Sequence, residues 1–162
     1  MLTFWASYSM PKSSTPTPAA KLRILLVDDN KNGLLARKFV LEEAGYDVTA
    51  FQKSEEALAA FQACPFDILV TDYRMPHMTG TELLARVREI RDKVPVVLVS
   101  SVAEVLGLTE QNTGADAVVP KGPHEIQNLL RTVNRLASKI MPRKPAASQA
   151  ARRARKDAKG SS

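Results

Sequence analysis

The chain has 162 residues, 44% of them hydrophobic and 25% charged, with a single cysteine and a net charge of +6. That length fits one ordinary domain with tails; lone Cys64 excludes a disulfide framework or a multi-cysteine zinc site, and no apolar run approaches the roughly 20 residues of a membrane-spanning helix. The charge hints at an acidic partner such as nucleic acid, but it is unevenly spread: residues 137–162 carry +7, residues 1–20 carry +1 and residues 21–136 carry −2.

In chain order, Met1–Ser9 is apolar but lacks the basic start of a signal peptide, and it reads as an extension upstream of a start at Met10. With the Ser/Thr/Pro-rich stretch that follows, residues 1–20 form an expected disordered arm. The texture then changes. Leu22–Val27 is a nearly continuous apolar run, as a strand buried on both faces requires. Asn32–Ala44 carries Leu34, Leu35, Phe39, Val40 and Leu41 at helical spacing and stops at Gly45. Val48–Phe51 reads as a strand. Ser54 is placed to cap a helix starting at Glu55, with Leu58 and Phe61 inward. Asp67–Thr71 is a strand, Thr81–Ile90 a helix, Val96–Ser100 a strand, Glu104–Asn112 a weaker helix containing Gly107, and Ala115–Val119 a strand. The last helix, His124–Ile140, puts Ile126, Leu129, Leu130, Val133, Leu136 and Ile140 on one stripe. Residues 141–162, opened by Pro142 and Pro145, form a basic tail with no apolar stripe and are expected to be flexible. Five βα units over residues 21–140 predict an α/β domain, a doubly wound parallel sheet of five strands with helices on both faces.

Ligands of such sheets collect at the carboxyl ends of the strands. Here those ends carry Asp28 and Asp29 after the first strand, Asp72 after the third, Ser100 and Ser101 after the fourth, and Lys121 after the fifth. The DDNKN loop following the first strand has two carboxylates where a phosphate-binding loop has Gly, Ser or Thr, so a dinucleotide or flavin-phosphate site is excluded; no P-loop is present either. An acidic pocket attracts a hard cation instead, and Mg²⁺ takes oxygen ligands from one or two carboxylates plus phosphate. Around such a cation, a carboxylate can accept a phosphoryl group as an acyl phosphate, Lys121 can neutralise charge, and the Ser100 hydroxyl can donate one hydrogen bond. The simpler readings stand beside these: an Asp pair in a loop is ordinarily just solvated, Ser100 could cap the next helix, and Lys121 could be a surface lysine. Met75 and Pro76 read as turn and packing residues and Gly80 as a backbone position. His77, His124 and Cys64 have no partner spacing and read as bystanders.

Four strings, LLVDDN (Leu25–Asn30), DYRMPHMTG (Asp72–Gly80), PVVLVSS (Pro95–Ser101) and GADAVVPK (Gly114–Lys121), fall in register at successive βα positions. Together they resemble the receiver domain of two-component response regulators over about residues 22–136. The resemblance implies a CheY-like, flavodoxin-type fold with Asp72 as the phosphoacceptor. It implies Mg²⁺ held by Asp29, Asp72 and the backbone carbonyl of Arg74, with Asp28 as an indirect or second acidic contributor. Ser100 is then the switch hydroxyl and Lys121 the charge partner of the phosphoryl group. The implied donor is a histidine kinase or phosphotransfer protein, and the implied output is altered binding of a downstream protein on the face of the fourth helix, fifth strand and last helix. The chain is thus expected to be a cytoplasmic single-domain switch, and not an enzyme beyond assisting its own phosphorylation and dephosphorylation.

Departures from the family pattern lie on the readout side. The aromatic expected three residues before the lysine is Val118. Lys121 is followed by Gly122 before Pro123, which moves any cis bond of this loop to Gly122–Pro123. Arg74 places a long cation two residues after Asp72, and Val102 is apolar two residues after Ser100. Two competing expectations remain: the basic tail as a salt-sensitive nucleic-acid-binding arm, and a haloacid-dehalogenase-type phosphatase, which wants a second acid where Arg74 stands.

Overall fold

Five short apolar runs become strands and the amphipathic segments between them become helices: β1 (Arg23–Val27), α1 (Lys31–Glu43), β2 (Asp47–Phe51), α2 (Ser54–Ala63), β3 (Ile68–Asp72), α3 (Gly80–Ile90), β4 (Val96–Ser100), α4 (Glu110–Thr113), β5 (Ala117–Pro120) and α5 (Glu125–Ile140). The computed structural model describes residues 21–141. The arm expected over residues 1–20 and the tail expected over 141–162, Met141 apart, lie outside the described residues. All pairings are parallel, in the order β2-β1-β3-β4-β5. This is the flavodoxin-like doubly wound sheet.

Side chains alternate across a strand, so one strand feeds two cores. Ile24 and Leu26 pack with Leu34, Leu41, Leu129 and Val133 beneath α1 and α5. Leu25 and Val27 pack with Phe61, Leu83 and Val87 beneath α2 and α3. That two-sided burial is why these strands read as unbroken apolar runs rather than alternating ones. The order reverses between β1 and β3, where open sheets of this kind leave a crevice at the strand ends. Pairing of Val27 with Thr71, of Asp72 with Val99 and of Ser100 with Pro120 brings the candidate site residues level along that edge.

Most element boundaries move by one or two residues from their expected positions, but four expectations are corrected. Ser54 does not cap α2. Lys53 is the cap, without a side-chain bond, and the buried Ser54 hydroxyl donates to the Met78 carbonyl at 3.0 Å, tying α2 to the loop after β3. Leu35 and Phe39 do not face the core; they are 54% and 64% exposed, because Leu34, Arg37 and Leu41 form the inward stripe of α1. Ile140 leaves the stripe of α5 and is exposed, while Ala137 is buried. The helix expected over Glu104–Asn112 is reduced to the single turn of α4, preceded by turns over residues 101–107. Gly107, at φ +58°, reverses the chain there, and the Asn112 side chain bonds the Gly107 carbonyl at 2.8 Å. Only Ala103 in this stretch reaches the core, and Val105 is 84% exposed, so no buried stripe rewards a longer helix. No helix among the described residues is long and apolar enough to cross a membrane.

Candidate functional site

The crevice edge is built from the ends of β1, β3, β4 and β5. Asp28 and Asp72 are buried and Asp29 is exposed, yet each offers a carboxylate oxygen within 4.8 Å of the others. Asp28 is fixed from several sides. Its Oδ1 accepts from the Asn30 N–H at 2.9 Å, and Asn30 in turn caps α1 by accepting from Gly33 N–H at 3.0 Å. Asp72 Oδ1 accepts from the Tyr73 N–H at 3.0 Å and faces Lys121 Nζ at 3.1 Å. Lys121 Nζ also lies 3.8 Å from Asp28 Oδ2. It is delivered there by the parallel register of β5, since its backbone N–H donates to the Ser100 carbonyl at 2.9 Å.

Three carboxylates in one crevice repel one another. Burial, with Asp28 and Asp29 adding to it, raises the Asp72 pKa above its ordinary value even though Lys121 pulls the other way. The pocket thus gathers three carboxylate oxygens, with Lys121 beside two of them.

Loop geometry accounts for the glycine of the DYRMPHMTG string. A Cβ on Gly80 would stand 2.2 Å from the Asp72 carbonyl oxygen and 3.0 Å from Leu98 Cδ2, and the Gly80 N–H donates to the Tyr73 carbonyl at 2.9 Å. Only glycine lets α3 start this close to the end of β3. Thr79 and Glu82 then close a capping box over the first turn. Met75 is buried against the Ser54 and Thr71 hydroxyls, in the packing role read for it. Arg74 sits in the exposed part of the same loop.

Ser100 lies buried at the end of β4, and its Oγ accepts from the Val102 N–H at 3.1 Å. It caps no helix, because turns follow it. Val118 is half-buried against the α2/α3 core. Among the described residues there is no cis peptide bond, Gly122–Pro123 included. His77 adopts φ 69° in the loop after β3, His124 precedes α5, and Cys64 is exposed at the end of α2.

Sequence reasoning missed one participant. Arg37 is 5% exposed, with Nη1 bonded to Asp28 Oδ2 and Nε donating to Glu125 Oε1 at 2.6 Å. Burial alone would lower its pKa, but the Glu125 hydrogen bond and the charges of Asp28 and Glu125 more than offset this and raise it. A signal existed: Arg37 falls on the i, i+3, i+7 stripe with Leu34 and Leu41, and an arginine on a buried stripe needs an acidic partner.

The comparisons with known proteins agree with this fold. A model of the response regulator receiver domain matches residues 24–134. The chain is 32% identical over 117 residues to the response regulator receiver protein CpdR of Brucella abortus, covering 70% of this chain and 95% of that one. It is 33% identical over 134 residues to a gliding motility regulatory protein of Myxococcus xanthus, covering 78% of this chain but only 17% of that one. The structure of the response regulator TrrA of Thermotoga maritima, solved in complex with Mg²⁺ and BeF, superposes with a TM-score of 0.64 at 28% identity, covering 71% of this chain and 98% of that one. The chain belongs to the response regulator receiver domain family.

Proposed function

We propose that the protein is a response regulator that accepts a phosphoryl group on Asp72. The domain spans residues 21–140, with residues 1–20 and 141–162 as an appended arm and basic tail. The observation that carries the reading is the placement of Asp72 at the end of β3, beside Asp28 and Asp29 and with Lys121 Nζ 3.1 Å from its Oδ1. The donor set fits Mg²⁺: three hard anionic oxygens lie within reach of one another at one strand-end crevice. Asp29, Asp72 and the Arg74 carbonyl would hold the ion and Asp28 would contribute charge. When bound, Mg²⁺ neutralises phosphoryl oxygens and Asp72 together.

In the proposed reaction an Asp72 carboxylate oxygen attacks the phosphorus of a phosphohistidine. The P–N bond breaks with its electron pair left on the released ring nitrogen, the acyl-phosphate P–O bond forms, and the imidazole leaves neutral, its one proton being carried throughout on the other ring nitrogen. Lys121 moves from the carboxylate to the phosphoryl oxygens, and the Ser100 hydroxyl keeps a hydrogen to donate to them while Val102 N–H bonds its oxygen. Water later attacks phosphorus and returns Asp72 with inorganic phosphate. The kinase or phosphotransfer donor, a downstream protein on the α4–β5–α5 face and a cytoplasmic setting belong to the same reading. The nucleic-acid arm rests on a tail outside the described residues, and the phosphatase reading lacks its second acid, since Arg74 stands there.

Acetyl phosphate with Mg²⁺ should add one acid-labile phosphoryl group, read by mass spectrometry, and Asp72→Asn should abolish it. A wild-type chain that stays unmodified overturns the reading.

A further inference from the structure

An arginine buried on a core stripe is held there by its partners, and the two partners of Arg37 come from opposite ends of the domain. Asp28 ends β1, and Glu125 opens α5, 88 residues further along the chain than Arg37. The guanidinium is a rigid plane, so one donor cannot follow a moving carboxylate without disturbing the other.

Gly33 provides the room. A Cβ there would stand 3.0 Å from Asp28 Oδ2 and 3.1 Å from Arg37 Nη1, so any larger residue would crowd this pair. Asp28 Oδ2 is already shared between Arg37 and the more distant Lys121. A divalent cation added to the cluster competes with both for the same carboxylate charge.

We propose that Arg37 is a positioning residue of the acidic pocket, holding Asp28 and tying it to Glu125, so that cation binding at the pocket is transmitted to the first turn of α5. This rests on the reading of the pocket as a cation site. It also supplies a route to α5 that does not pass through Val118. As the cation draws on Asp28, the hold of Asp28 on Arg37 loosens and the guanidinium shifts its bonding toward Glu125.

The test is a Mg²⁺ titration of the full chain followed by backbone amide NMR, which needs no phosphorylation. In the wild type, amides of Asp28, Asp29 and Tyr73 shift together with those of Ile126–Asn128, with one shared midpoint. Arg37→Met is expected to bind Mg²⁺ about tenfold more tightly, the size expected when one unit charge beside a carboxylate cluster is removed at high effective dielectric, while the α5 amides stop responding. Glu125→Ala, whose side chain is only partly buried, keeps the pocket shifts and loses the α5 response, and it carries the test if Arg37→Met does not fold. Unchanged Mg²⁺ affinity in Arg37→Met, or an α5 response retained in either variant, overturns the coupling alone. No pocket shift in the wild type overturns the cation-site reading and the coupling with it.

Discussion

The two halves of the crevice edge are built to different standards. On the β1–β3 side, Asp28 is held by Asn30, Arg37 and Lys121, Asp72 by Tyr73 and Lys121, and the loop after β3 is pinned by Gly80 and Ser54. On the β4–β5 side, the segment leading to α4 makes turns, α4 is one turn long, and Val105 and Leu106 face outward. A site that must position reacting oxygens to a few tenths of an ångström needs redundant support. In the proposed function the α4 segment changes partners, which weak attachment favours. One sheet edge thus carries a rigid half, which the proposed function uses for its chemistry, and a loosely tied half, which it uses for readout.

Three measurements test this contrast. Gly80→Ala should have the largest effect. Its methyl would overlap the Asp72 carbonyl, so stability should fall by about 3 kcal/mol, the upper end for overpacking, and phosphoryl loading from acetyl phosphate should slow with it. Urea denaturation and the labelling rate check both; a variant as stable as the wild type would show the rigid half to be more plastic than its geometry implies.

Asp72→Asn comes next, measured as thermal unfolding in metal-free buffer. Because the Asp72 pKa is raised on folding, the folded state holds that proton more tightly than the unfolded one. Wild-type stability therefore falls as pH rises from the ordinary carboxylate range through the raised value, and the penalty is complete above it. Asparagine cannot ionise, so the variant should melt higher than the wild type at pH 7, with the gain shrinking as the pH is lowered through that window. A lower melting point at pH 7 would mean that pairing with Lys121 outweighs burial.

Val105→Ser should do least, changing stability by no more than about 0.5 kcal/mol, as an exposed substitution away from any supporting contact does. A larger loss in urea denaturation would show that the α4 segment is more tightly packed than its exposure indicates.

Much of this was legible from residues alone. Strand positions followed from apolar runs such as Leu22–Val27 and Val96–Ser100, whose continuity has one economical explanation, burial on both faces. Asp28, Asp29, Asp72 and Lys121 followed because each stands just past such a strand, and a parallel sheet gathers strand ends at one edge. Gly80 was legible as a backbone position, though not the atom that demands it. The α4 segment was misread because Val105, Leu106 and Leu108 have the composition of a helix face, while nothing local shows that Val105 and Leu106 stay outside the core.

Element order, family and acidic edge could all be read along the chain, because periodicity and strand-end chemistry are local properties. Tertiary structure alone decided which face of α1 turns inward, that Ser54 bonds a loop rather than a helix end, and that Arg37 joins Asp28 to Glu125. Each depends on a partner brought close only by packing, and a buried charge has no local pattern that names its counter-charge.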